Sequence, residues 1–373
     1  MVWSMAYSVS EAKELVIRAG RELLASGLIV RTWGNISARV SDTHFVITPS
    51  GRDYESLTPD DIVEVAIADC TYEGEVKPSS ECRVHAVGYR ERPDAGFIIH
   101  THQNMASCIS ILGEVHDVPE EHRSVLGDRI PAARYGRNGT ERLAANVAEG
   151  LRTYPAARAV LMKNHGAICV GSDYDSAFKV ARTLENIAGE IYKERLSVAS
   201  GTADGEAAAK STGALDEAVS ADIILPVFEL HEYYHEIAYV RTYRKTLGDE
   251  SIGSIIHTMT PYVMRISELG KTMPAYIDDL AMIGGASIRC VGADATMPII
   301  DAALDDRSAV LIRDNGALCI APDREEAEAL CMVLEKNACA AYLAHTLGGI
   351  SPINGKAAAE DRKNYLESYS KLK

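Results

Sequence analysis

An internal repeat constrains this chain more than any other feature. The stretch Phe97-Ile-Ile-His-Thr-His102 returns as Ser254-Ile-Ile-His-Thr-Met259. The stretch Ala159-Val-Leu-Met-Lys-Asn-His-Gly-Ala-Ile-Cys-Val170 returns as Ala309-Val-Leu-Ile-Arg-Asp-Asn-Gly-Ala-Leu-Cys-Ile320. The amphipathic residues after each, 175–192 and 325–342, match as well. The echoes keep their order, at offsets of 157 and 150 residues, so few residues separate the copies in length. Such a chain folds as two related units, and 373 residues suit two domains better than one core. The second copy is shortened and altered. Met259 and Asn315 stand where the first has His102 and His165. Nothing near residues 225–245 answers to the first copy's Ser79-Ser80-Glu81, and nothing before them to its Gly34-Asn35-Ile36-Ser37. Packing alone therefore does not require His102 or His165, since the pattern survives their replacement.

Residues 96–99 read as a buried strand running into His100-Thr101-His102. In an extended strand, residues two apart share a face. Two neutral imidazoles can then serve one zinc ion at about 2.0–2.1 Å. His165 falls at an irregular point between two apolar stretches, where an unpartnered imidazole is costly. Zinc would supply the partner.

Composition narrows the function. A net charge of -15, from 38 Lys and Arg against 53 Asp and Glu, argues against nucleic acid. No apolar run approaches twenty residues, so no membrane span is expected. Residues 1–8 lack the basic and apolar regions of a secretory signal. The 8 cysteines form no C-x-x-C pair, and Cys108, Cys169, Cys319 and Cys331 read as small buried hydrophobes. A reducing, cytoplasmic setting follows.

Along the chain, Ser8 or Ser10 caps a helix carrying Ala12, Leu15, Val16, Ala19 and Leu23. Gly34-Asn35-Ile36-Ser37 is a turn into a strand, able either to cradle an anion or simply to reverse the chain. Thr48-Pro49-Ser50-Gly51 is a second turn of that kind. Ser79 or Ser80 caps a helix over 82–90, whose free amides attract an anion. Glu81 lies in its first turn, as a helix-end carboxylate or a base beside a metal. Residues 115–134 are the least regular, with His116 and His122 as loop residues. Thr140 caps another helix, and 173–193 forms a long amphipathic one. Residues 201–218 read as a linker and 225–245 as helical.

Five motifs in order, G-N-I-S (34–37), T-P-S-G (48–51), P-S-S-E (78–81), H-T-H (100–102) and N-H-G (164–166), resemble those of the class II aldolase/adducin family. The resemblance spans residues 11–193, and the second half looks like a degenerate family member. It implies an α/β fold with a central, mainly antiparallel sheet covered by helices. The implied domains are a catalytic one over 8–197, a linker over 198–220 and a metal-free copy over 221–373. It further implies zinc, with Mn2+ or Co2+ as substitutes, on His100, His102 and His165, and Glu81 as the catalytic acid/base. Phosphate would be cradled by Gly34, Asn35, Ser50, Gly51, Ser79 and Ser80. The implied substrate is a ketose 1-phosphate, split into dihydroxyacetone phosphate and a short aldehyde. Glu81 would shuttle the proton, given a pKa raised toward neutrality. Glutamate at position 81, rather than the aspartate of the 4-epimerases, favours cleavage. A lyase or decarboxylase on a hydroxy-carbonyl acid, a sugar-phosphate 4-epimerase and a non-catalytic adducin-like protein remain alternatives within the family. Its aldolases protonate the leaving aldehyde with a tyrosine after the H-x-H helix. Residues 118–124 have none, leaving His122, Arg123 or Tyr135 as substitutes. A homo-oligomer with active sites near subunit or domain interfaces is expected, the second copy standing in for a neighbouring subunit.

Overall fold

In the computed structural model, which describes residues 7–29, 33–202, 227–237 and 252–367, the chain divides into two units after Ala188. The first contains α1 (Val9–Ala25), β1 (Gly34–Arg39), β2 (His44–Ile47), β3 (Val63–Ala66), α2 (Cys82–Glu91), β4 (Phe97–Thr101) and α3 (Asn104–Ser110). It continues through β5 (His116–Asp117), α4 (Arg123–Leu126), β6 (Arg129–Ile130), β7 (Ala132–Ala133), α5 (Glu141–Thr153), β8 (Ala159–Met162) and β9 (Ala167–Gly171). A long helix, α6 (Tyr174–Thr202), spans the division.

Seven strands form the main sheet in the order β3-β2-β1-β4-β9-β8-β7, antiparallel except for the pair β7–β8. The fold is thus the expected mainly antiparallel α/β layering. All five residues of β4 are buried, because it lies near the middle with β1 and β9 on either side. Val84 and Val87 of α2, with Leu143, Val147 and Leu151 of α5, pack with Ile98, Val160 and Ile168 in one apolar cluster. His100 follows Ile98 by two and so shares its face, the one that α2 covers. Ser8, rather than Ser10, caps α1, its hydroxyl accepting from the Glu11 N–H at 3.3 Å.

The second unit contains β10 (Tyr234–Glu236), β11 (Ser254–Thr258), α7 (Pro261–Glu268), β12 (Met273–Pro274), α8 (Asp278–Ile283) and β13 (Ser287–Val291). After these come α9 (Met297–Leu304), β14 (Ala309–Ile312), β15 (Ala317–Ala321), α10 (Arg324–Leu347) and α11 (Gly355–Glu367). Its sheet order is β10-β11-β15-β14-β13-β12. The run β4-β9-β8-β7 is reproduced as β11-β15-β14-β13, with the parallel pair in the same place. Among the described residues, β2 and β3 have no equivalents.

Some expectations need correction. Within 225–245, Tyr234–Glu236 is a strand rather than helix, because pairing with β11 satisfies backbone groups along that sheet edge. His116 is not in a loop; it is buried in β5, paired with Ile130. Helix α6 runs past 197 to Thr202, and the rest of the expected linker lies outside the described residues. No helix among the described residues is long and apolar enough to cross a membrane.

Candidate active site

His100 is the fourth residue of β4, held in register between Asn35 of β1 and Ile168 of β9. The strand stops at Thr101, so His102 lies in the connection to α3 rather than two apart on one strand. The rings still meet: the two Nε2 atoms are 2.9 Å apart. His165 occupies the tight β8–β9 turn, closed by Met162 N–H to Gly166 O at 2.8 Å. Asn164 there takes a left-handed φ of 63°. A Cβ on Gly166 would lie 2.2 Å from the Thr101 carbonyl oxygen, so glycine lets the turn approach β4. This approach sets His165 Nε2 3.1 Å from His100 Nε2. Glu81 is the N-cap residue of α2 rather than a member of its first turn. Neither Ser79 nor Ser80 caps that helix by the expected route; the Ser79 hydroxyl accepts from the Glu81 N–H at 3.3 Å. The carboxylate places Oε2 3.0 Å from His100 Nε2 and Oε1 3.2 Å from His165 Nε2.

One ligand atom from each of Glu81, His100, His102 and His165 thus lies within 4.8 Å of the others, and all four residues are buried. The chemistry of this set fits a divalent cation. His100 Nδ1–H donates to Ala167 O at 2.9 Å, which leaves the Nε2 lone pair aimed into the cluster. Lone pairs crowded at 2.9 and 3.1 Å repel unless a cation lies among them. Glu81 Oε1 is buried, and with no proton on His165 Nε2, 3.2 Å away, it receives no hydrogen bond. Three imidazoles and a carboxylate form a donor set typical of zinc and its neighbours.

Burial pushes the Glu81 carboxyl up, but when protons rather than a cation sit on His100 and His165, their positive charge and hydrogen bonds outweigh it and hold the group well below the usual range. A cation among the imidazoles acts in the same direction. The expected rise toward neutrality is therefore not found. Glu81 is an ionised carboxylate, suited to accept a proton.

The glycine- and serine-rich motifs meet at this end of the sheet. Ser50 N–H donates to Lys77 O and Ser79 N–H to Thr48 O, both at 3.0 Å, stitching T-P-S-G to P-S-S-E. Thr48 N–H donates to Ile36 O at 3.0 Å, and its Oγ1 accepts from Ile36 N–H at 3.2 Å, which ties in G-N-I-S. Not every donor of these turns is open, however. Those Ser50 and Ser79 amides already have protein partners. Gly34 fits because a Cβ there, at φ 136°, would meet the His100 carbonyl oxygen at 2.8 Å. The Asn35 amide faces Glu81 and His85 rather than an open cradle: Nδ2 donates to Glu81 Oε2 at 3.0 Å, and Oδ1 lies 2.6 Å from His85 Nε2. Gly51 and Ser50 are half-buried, and Ser80 is exposed. Arg123, one of the substitutes for the missing tyrosine, is exposed and donates to Val118 O at 3.0 Å.

The sequence reading missed His85, Ser37 and Tyr89. His85 Nδ1 lies 2.7 Å from Ser37 Oγ, which lies 2.8 Å from Tyr89 OH. Burial pushes His85 down to about 3, so its ring is neutral. A signal was present: Glu81, His85 and Tyr89 recur every four residues, along one face of a helix.

Residues 14–192 and 236–343 match the Class II Aldolase and Adducin N-terminal domain. The chain is 34% identical over 191 residues to 5-deoxy-D-ribulose 1-phosphate aldolase of Bacillus thuringiensis serovar kurstaki, covering 51% of this chain and 88% of that protein. It is 34% identical over 180 residues to L-fuculose phosphate aldolase of Escherichia coli K12, covering 48% and 80%. Among solved structures, L-fuculose-1-phosphate aldolase from Thermus thermophilus is similar at 32% identity and a TM-score of 0.43, covering 51% of this chain and 97% of that one.

Proposed function

The chain belongs to the class II aldolase and adducin family, and on that premise we propose that its first unit is a zinc-dependent aldolase acting on a ketose 1-phosphate. One observation carries the reading: three imidazole Nε2 atoms and one buried carboxylate converge where the glycine- and serine-rich turns meet. His100, His102 and His165 would hold the metal, with Glu81 beside it. The chemistry such an ion supplies is Lewis-acid polarisation of the substrate carbonyl and stabilisation of the charge released when the carbon chain breaks.

The protein's own groups do the rest. Glu81 accepts the proton of the C4 hydroxyl as the C3–C4 bond breaks, and that oxygen becomes the carbonyl of the departing aldehyde. The bonding pair stays with the three-carbon half, which takes a proton to become dihydroxyacetone phosphate. His100 Nδ1–H, fixed on Ala167 O, keeps its ring aimed throughout. Burial of all four residues excludes water from the broken bond. The half-buried Ser50 and Gly51 and the exposed Ser80 are proposed to meet the phosphate. Metal-loaded protein is to be assayed on fuculose 1-phosphate, 5-deoxyribulose 1-phosphate and non-phosphorylated sugar acids. Release of dihydroxyacetone phosphate from a ketose phosphate is expected. Equal or faster turnover of the sugar acids would replace the aldolase with a decarboxylase or another lyase.

A further inference from the structure

The proposed chemistry does not use the polar chain behind Glu81, yet that chain has one direction only. A carboxylate accepts and cannot donate, so Asn35 must present its NH2 group to Glu81 Oε2, at 3.0 Å. Its carbonyl Oδ1 then faces His85 and takes the Nε2–H at 2.6 Å. With the proton of the neutral ring on Nε2, Nδ1 is an acceptor, and Ser37 Oγ–H fills it at 2.7 Å. Ser37 Oγ in turn accepts from Tyr89 OH at 2.8 Å. Every donor points toward Glu81.

The far end of the chain is closed. Tyr89 is 2% exposed, and the Arg39 guanidinium lies 4.7 Å from its ring centroid and donates to its backbone carbonyl. Burial raises the phenol far above its ordinary value, so it holds its proton. Because the Asn35 amide in its middle does not titrate, the chain does not conduct protons. It fixes one geometry.

We infer that His85 is a positioning residue that acts through Asn35 to orient the Glu81 carboxylate, engaging Oε2 and leaving Oε1 for the substrate proton. The asymmetry of the carboxylate supports this: Oε2 receives the Asn35 amide, whereas Oε1 has only the His165 ring nitrogen near it, at 3.2 Å. Without the His85 N–H, the Asn35 amide can turn over and present its oxygen to Glu81, which repels the carboxylate. The inference rests on the metal-site reading above.

The test compares His85→Phe, which removes the donor, with His85→Gln, whose amide can restore an N–H toward Asn35. Ser37→Ala, which only withdraws the bond to Nδ1, is the milder third variant. Each is loaded with Co2+ and examined by visible absorption, which senses the donors around the metal without any substrate. Turnover of the loaded enzymes follows. His85→Phe should bind one equivalent of Co2+ with an altered spectrum and lose about 10–100-fold in kcat with KM nearly unchanged. His85→Gln should recover most of both, and Ser37→Ala should shift both slightly in the direction of His85→Phe. A wild-type spectrum and kcat in His85→Phe overturn the inference and leave the metal site standing. If His85→Phe does not fold, the same result in Ser37→Ala overturns it. If the wild-type protein takes up no Co2+, the metal site falls and the positioning role falls with it. If Co2+ binds and the spectra change as expected but no ketose phosphate is cleaved, only the substrate assignment fails.

Discussion

The two units repeat the same scaffold, and their differences separate what the fold needs from what the chemistry needs. Both place a glycine after the turn residue that faces the central strand. Cβ atoms on Gly166 and Gly316 would approach the Thr101 and Thr258 carbonyl oxygens to 2.2 and 2.1 Å. Both put a left-handed residue two positions earlier, Asn164 at 63° and Asp314 at 56°. Both anchor the helix after the central strand with a carboxylate from the long helix. Glu185 accepts from the Met105 and Ala106 N–H groups at 2.7 and 3.1 Å, and Glu335 from those of Tyr262 and Val263 at 3.0 and 2.9 Å. Between the retained turn residues the first unit has His165 and the second Asn315. His100 and its counterpart His257 are both present, but they differ in use. His100 Nδ1 is fixed on Ala167 O, and Nε2 enters the cluster, whereas His257 Nε2 is turned to Asn315 O at 2.7 Å. In N-H-G, therefore, the left-handed residue and the glycine belong to the shared turn geometry, and the histidine position is the one the scaffold leaves free to change.

Substitutions in each unit separate the two sets of needs. The largest effect is expected from Glu81→Gln, which keeps size and removes the base. Its kcat should fall about 10²–10⁴-fold while bound metal, read by elemental analysis, stays. Unchanged turnover would make Glu81 a mere helix-end carboxylate. Next come Gly166→Ala and Gly316→Ala, each pressing a methyl into a carbonyl. Each should cost about 1–3 kcal/mol, measured by denaturant unfolding. A tolerated change in one unit alone would show that the two turns are not equivalent.

The smallest effect concerns pH. Burial raises the Glu335 carboxyl above its ordinary 4.5, although backbone N–H groups of Tyr262 and Val263 pull it down. The folded state thus binds the proton more tightly than the unfolded chain. The resulting stabilisation is complete below the unfolded value and is lost as pH rises through the folded one. Glu335→Gln should flatten that decline in a series of unfolding curves taken upward from pH 4. An identical slope in the variant assigns the decline to other groups.

Much of this division can be read in the sequence because it depends on residue identity at fixed spacing. The repeat, the strand before His100, and the replacement of His102 and His165 by Met259 and Asn315 need no coordinates. Asn35 was harder to place. A turn rich in small polar residues suggests an anion, and only the pairing of β1 with β4 reveals that its amide lies beside Glu81. The stitching of T-P-S-G to P-S-S-E rests on a bridge between Pro49 and Pro78, a long-range contact with no local signature. The downward shift of Glu81 was hidden as well, since it needs His100 and His165 at about 3 Å, and neither is near it in sequence.

The first unit is proposed to hold a metal, and the second to retain the scaffold without one. Among the described residues, no group of three close His, Cys, Asp or Glu donors lies wholly within the second unit. Elemental analysis of metal-replete protein, beside the variant His165→Asn that gives the first unit the residue of its copy, tests this directly. One equivalent of divalent metal per chain is expected in the wild type and almost none in His165→Asn, with folding retained. Two equivalents per chain, or one that survives His165→Asn, would contradict it.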